Sequence, residues 1–492
     1  MTVAGRTRRK DAEARRGEGL AAAVTDLLGG RVAVPAAGPA PGLVAASVPI
    51  EPFDAVALYA AAVEAGYEAV LWLQPSEEFA LVGIGRAWAV EPSGQERFRA
   101  AEASWRSLME GARFGRLAAA RGLGPVVIGG LGFSGRVPGG DDVWQPFGAA
   151  ALVLPSLVAL GSASGSWVTG SIAGPGDACA QADALEGIWA RLSARADRLA
   201  PAGGEGAGEV PRAHLEIVHE WPTSPHWRHL VGLMAGAVGR GRLDKVVFAR
   251  RVDLVSSVDL EVAGALRLLA ASAPESAVFA FRRGDSTFLG ATPERLVRTA
   301  GRSYSTAAVA GSIRRGADEA EDAALRAELL ASEKEREEHA VVVRTIRRQL
   351  EPISETIEVA AQPSVLVLCH VQHLATAVEG TVRGDEGLLA LADRLHPTPA
   401  VGGEPRHLAL AMIDEHEGFD RGWYTGPVGW LGPDGDGELM VALRCGLVSG
   451  GRASLFAGCG IVADSDPDRE WEESRIKMRA VAAALGRPGD EP

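Results

Sequence analysis

The chain has 492 residues, 47% hydrophobic and 23% charged, with a formal net charge of −13. This composition excludes collagen, coiled coil and wholesale disorder, and no apolar run reaches the ~18 residues that span a bilayer. An acidic chain does not build the broad basic stripe that nucleic-acid phosphates require, so neither nucleic acid nor membrane is an expected partner.

Residues 1–40 are polar and Arg-rich, then Ala/Gly/Pro-rich, and read as a flexible tail. They lack the apolar core of a secretory signal, and Cys179, Cys369, Cys445 and Cys459 form no CxxC pair, so a reducing, cytoplasmic setting is expected. From Glu68 apolar stretches alternate with turns as strands, followed by a helix over about 95–120. GPVVIGGLGFSG and AAALVLPSLVALGSASGSWVTG read as further strands, and 178–199 as a helix. LAPAGGEGAGEVP, around 200–211, is the clearest linker and divides an N-terminal half (41–211) from a C-terminal region (212–492). Beyond it, strand pairs such as DKVVFARRVDL and ELMVALRCGLVSGGRASLFAGCGIV interleave with helices over about 317–351, 385–395, 404–415 and 467–485. Strand pairs and longer helices without regular βαβ alternation indicate an α+β fold.

Two motif-like patterns carry little. Gly130, Gly132 and Gly135 fit GxGxxG, but RVPGGDDVW cannot supply the helix that must follow. Cys369, His370 and His373 lie close together, yet no further ligand of that type stands nearby to complete a zinc site.

The acids of two helices are more informative. At 100° per residue, Glu335 and Glu338 share a stripe with Val342, Ile346 and Leu350, the expected core-facing side. Near the C-terminus, Pro467 follows an aspartate cap, and Glu470 and Glu473 share a stripe with Lys477, Val481 and Ala484. Such pairs are either solvated or ion-paired acids, or the oxygen ligands of a hard cation such as Mg²⁺.

Read together, DKVVFAR, FLGATPERLV, TAAVAGSIRRG, SEKEREEHAVVV, HVQHLATAVEG, LHPTPAVGGEP, GWYTGPVGW, VALRC, FAGCGIV and EWEESRIKM resemble the chorismate-utilising enzymes, in order over about residues 240–480. LVGIGRAWAV, the stretch around Trp105, PVVIGGLGF and W-x-x-F…LPS extend a weaker likeness to menaquinone-type isochorismate synthases. The resemblance implies one large α+β fold of the anthranilate synthase component I kind, with central antiparallel sheets and helices packed outside. Water-adding members carry a lysine where Lys245 stands, whereas anthranilate synthases carry glutamine there. Aminodeoxychorismate synthases often carry a lysine in a P-I-K-G-T motif, where this chain has Val309-Ala310-Gly311-Ser312. No glutaminase subunit is therefore implied, and the family tendency is a monomer. Salicylate synthases tend to have threonine where Ala400 stands, so Ala400 points to an isochorismate synthase that stops at isomerisation.

The implied reaction adds water at C2 of chorismate and expels the C4 hydroxyl. By resemblance Lys245 is the base and Glu294 the acid. A free lysine has a pKa of ~10.4, so Lys245 should be desolvated or near another cation, and Glu294 should be kept protonated. Mg²⁺ offsets the repulsion between the acids and the dianionic substrate. Glu338 and Glu473 are its implied direct ligands, with Glu335 and Glu470 acting directly or through water. Arg444 and Lys477 are expected to hold the second carboxylate with Tyr424 nearby, Gly311, Gly458 and Gly460 to admit backbone N–H groups, and His373 to lie by the ring. The N-terminal likeness implies that the product feeds menaquinone formation, with siderophore or salicylate formation as the alternative.

Overall fold

Strands with apolar residues on one or both faces build two large sheets that must bury those faces against something. The computed structural model describes residues 19–28, 33–34, 42–115, 120–139, 142–201, 213–367 and 371–489. A 14-stranded sheet runs from His214–Trp221 through Lys245–Val255, Arg452–Ile461, Cys445–Ser449, Ser286–Thr292 and Ala277–Arg283. It continues into the N-terminal strands Ala69–Gln74, Phe79–Ile84, Leu157–Ser162, Gly165–Ala173 and Leu43–Ile50. A 10-stranded sheet likewise joins Val371–Val382, Ser303–Arg314, Arg295–Ala300, Gly437–Val441 and Pro427–Leu431 to Val127–Leu131 and Ala150–Leu154. Pairing is antiparallel except for two short edge pairs. Both halves of the chain thus contribute to both sheets.

The sheets face each other across an aromatic cluster that includes Trp72, Trp144, Phe279, Phe288, Trp423 and Trp430. Helices cover the outer faces. Ala55–Glu64, Val262–Ser272 and Pro467–Leu485 pack on the larger sheet, and Arg97–Glu110, Glu333–Leu350 and Leu388–Leu395 on the smaller. The α+β architecture with central antiparallel sheets is as expected. Among the described residues, no helix is long and apolar enough to cross a membrane.

Several expectations need correction. Residues 20–27, expected in the tail, form a helix that buries Leu20, Ala23 and Val24 in the core; apart from 28 and 33–34, most of 1–40 lies outside the described residues, as does most of the 200–211 linker. The helix expected over 95–120 is shorter, Arg97–Glu110, ending at Gly111. The helix expected over 317–351 is two, Glu319–Ala331 and Glu333–Leu350. Ser332 is extended between them, and its hydroxyl caps the second by accepting from Glu335 N. Gly130, of the GxGxxG pattern, lies in a strand against Trp423, where a Cβ would come within 2.5 Å of the indole.

Candidate active site

The site forms at one end of the larger sheet, between the strands Lys245–Val255 and Arg452–Ile461 and two acid-bearing helices. Antiparallel register sets Gly460 opposite Val247 and Gly458 opposite Ala249. The missing side chains make room. A Cβ on Gly460 would lie 2.4 Å from Lys245 Cε, and one on Gly458 would lie 3.1 Å from Tyr424 Oη. Lys477, from the helix Pro467–Leu485, donates to Gly458 O at 2.8 Å and pairs with Glu473 at 2.5 Å.

Opposite stands the N-terminus of the helix Glu333–Leu350. Gly311, at φ +75°, is the extra residue of a bulge between Ala310 and Ser312. The bulge turns Ser312 N toward Glu335 Oε2, which accepts at 2.9 Å. Ser312 Oγ lies 2.7 Å from His373 Nδ1. Burial pushes the His373 pKa down to about 4, with Lys477 and Arg444 acting in the same direction, so the ring is neutral near pH 7. Ser312 was not anticipated, because its contacts depend on the bulge. Cys369 and His370 lie outside the described residues.

Glu294 sits between the strands Ser286–Thr292 and Arg295–Ala300, its carbonyl fixed by Val441 N at 2.9 Å. Burial raises its pKa to about 7 against the opposing pull of Arg444, Lys245 and Lys477. The acid is thus half protonated near neutrality while lying within the field of three cations. Arg444 has φ +48°, a conformation uncommon for a non-glycine residue. Burial depresses its pKa, while Tyr424, Glu473, Cys459 and Glu294 act against that. Tyr424 is buried and stacks on Phe456, and burial pushes its phenol up.

Lys245 departs from expectation. Its side chain is 28% exposed, and its close charged partner is a carboxylate, Glu338 Oε1 at 3.8 Å, not a second cation. Ala400 lies in the turn before Gly402, whose carbonyl accepts from Val247 N, so that turn borders the Lys245 strand.

The acids fit a hard divalent cation in donor chemistry. Glu470 and Glu473 offer carboxylate oxygens within 4.8 Å of each other and of Cys459 Sγ. Burial raises the Glu470 pKa, and the neighbouring Glu473 adds to it, a repulsion that a cation would relieve. Cys459 is not an oxygen donor; burial pushes its thiol up to about 12, and it donates to Glu470 O. Glu335 and Glu338 lie outside that group, engaged with Ser312 N and Lys245.

Residues 33–486 match the family described as chorismate binding enzyme. The chain is 38% identical over 450 residues to a salicylate biosynthesis isochorismate synthase of Pseudomonas aeruginosa, covering 91% of each chain. It is 32% identical over 428 residues to the isochorismate synthase MenF of Bacillus subtilis, covering 84% of this chain and 87% of that one. Among solved structures it is similar to MenF, the menaquinone-specific isochorismate synthase from Escherichia coli. That match has a TM-score of 0.75 and 25% identity, over 95% of this chain and 99% of that one.

Proposed function

The chain belongs to the chorismate-binding enzymes, and from that premise we propose that it is a Mg²⁺-dependent isochorismate synthase working on Lys245 and Glu294. The observation that carries this reading is Glu294, a buried carboxyl with a pKa of about 7 in the field of Lys245, Arg444 and Lys477. A reaction that attacks with water and expels hydroxide needs a base and an acid, each worth roughly 10²–10⁴-fold. Near pH 7 a carboxyl of this kind can donate to the departing C4 hydroxyl. Lys245, as the amine, takes the proton from the water attacking C2.

Arg444, Lys477 and Tyr424 receive the substrate's second carboxylate, and Arg444 can do so through two N–H groups. The glycines at 311, 458 and 460 keep the floor low enough for the ring, with neutral His373 beside it. Glu338 and Glu473 would hold Mg²⁺ directly, with Glu335 and Glu470 directly or through water. When bound, the ion supplies charge neutralisation and orientation for the ring carboxylate. The reading takes the chain as a cytoplasmic monomer with no glutaminase partner.

We take the product to feed menaquinone formation, a reading supported by similarity to the menaquinone-specific enzyme over nearly the whole chain. Supply of salicylate is a second reading, favoured by the 38% identity to the Pseudomonas protein named for that pathway. Product analysis with chorismate, with and without Mg²⁺, tests the activity. Isochorismate is expected only with the ion; free pyruvate without a lyase would instead indicate a salicylate synthase. Loss of menaquinone, rather than of salicylate, in a gene deletion would separate the pathways.

A further inference from the structure

The strand Lys245–Val255 has one continuous neighbour, Arg452–Ile461. Its other edge is interrupted. Lys245 and Val246 pair with Glu404 and Gly403, and pairing resumes at Arg251, opposite Trp221. Between them, Gly402 O accepts from Val247 N at 3.0 Å, and two side chains rather than a strand fill the rest of the gap. Arg421 Nη2 donates to Val247 O at 2.7 Å, and Glu417 Oε2 accepts from Ala249 N at 2.9 Å.

The two are also paired with each other. Arg421 Nε donates to Glu417 Oε1 at 2.5 Å and Nη2 to Oε2 at 2.6 Å, both side chains being 2% exposed. The remaining N–H groups of Arg421 reach Val401 O at 2.8 Å and Thr425 Oγ1 at 3.4 Å. The five donors of the guanidinium are thereby used. Its plane also lies over Phe133, 4.3 Å from the ring centre.

These bonds reach three segments: the strand that begins at Lys245, the turn that holds Ala400, and the turn that holds Tyr424. A buried ion pair is weak evidence for stability, since apolar residues of similar volume are often as good. What apolar residues cannot supply is the one donor and the one acceptor that the pair gives the interrupted strand edge.

We propose that Arg421 and Glu417 are positioning residues that act through the strand edge at Val247 and Ala249 to set the Lys245 amine against the substrate ring. The proposal rests on the reading of Lys245 as the base. Glu417→Gln is the informative variant because it keeps the shape. An amide has one acceptor atom, so its NH₂ must oppose a donor, either Ala249 N–H or the guanidinium.

The test measures kcat and KM for chorismate in Glu417→Gln and Arg421→Lys, with melting temperature and amide exchange at Ala249. Displacing a reacting group by about 1 Å costs on the order of 100-fold. The expected result is a kcat loss of that order, a nearly unchanged KM and faster Ala249 exchange. Arg421→Lys should retain more activity than Arg421→Ala, and added guanidinium should partly restore Arg421→Ala but not Lys245→Ala. If the Arg421 variants do not fold, Glu417→Gln decides alone. Unchanged kcat in folded Glu417→Gln, or a rise in KM that accounts for the whole loss with Ala249 exchange unaltered, would overturn the proposal. A wild-type chain without turnover of chorismate would instead overturn the reading on which it rests.

Discussion

Gly460 stands where any larger residue would displace Lys245: its missing Cβ would lie 2.4 Å from Lys245 Cε. The obstructed atom is near the end of a flexible side chain, so the backbone need not move. Gly460→Ala should therefore fold with a melting temperature close to wild type. Its kcat should fall by on the order of 100-fold, the cost of a misplaced reacting group. Steady-state kinetics beside a thermal melt check this.

Glu294 sets the pH dependence. Activity that requires its protonated form should decline as pH rises through about 7. Glu294→Gln should lose roughly 10²–10⁴-fold in kcat. Stability follows the same group. Its unfolded pKa is about 4.3 and its folded pKa about 7, so the folded chain binds more protons between these values. The stabilisation from this proton is full below the unfolded pKa and lost as pH rises through the folded one. Denaturant titrations across pH 4 to 8 (roughly, bracketing those values) should show that slope in wild type and a weaker one in Glu294→Gln.

The acid pairs should separate by role. Glu473→Gln and Glu338→Gln should raise the Mg²⁺ concentration needed for half-maximal activity, and chelation should abolish turnover in wild type. Glu335→Gln should also loosen the bulge at Gly311, because Glu335 Oε2 accepts from Ser312 N. Magnesium titrations of activity, and calorimetry with Mg²⁺ alone, measure the first effect, and amide exchange at Ser312 the second.

Arg444→Ala should raise KM for chorismate more than it lowers kcat, by about 1.5–3 kcal/mol for a charge-assisted bond. Arg444→Lys should recover only part, since a lysine cannot offer two parallel N–H groups.

The inward stripe of Glu335, Glu338, Ile346 and Leu350 was legible because helical phase is a local property; Ile346 and Leu350 are buried as that phase requires. The break at Ser332 also had a local signal, a serine three residues before a glutamate, but the strong helical composition on both sides masked it. The contact between His373 and Ser312 was not legible. It depends on the register of two strands 61 residues apart and on a bulge that shifts it. Arg421 and Glu417 are spaced as an ordinary i, i+4 surface pair, and only the packing of three distant segments reveals that they are buried. The setting of Lys245 failed for a related reason, since its nearby carboxylate comes from a helix 93 residues further along (338 minus 245).

On this mechanism Lys245 activates a solvent water that attacks the ring while Glu294 protonates the departing hydroxyl. Turnover of chorismate in ¹⁸O-water with Mg²⁺, followed by mass spectrometry of the product, tests this most directly. Isochorismate carrying the heavy oxygen at C2 is predicted, with label absent when Lys245 is replaced by alanine. Unlabelled isochorismate, or full labelling in the Lys245→Ala protein, would contradict it.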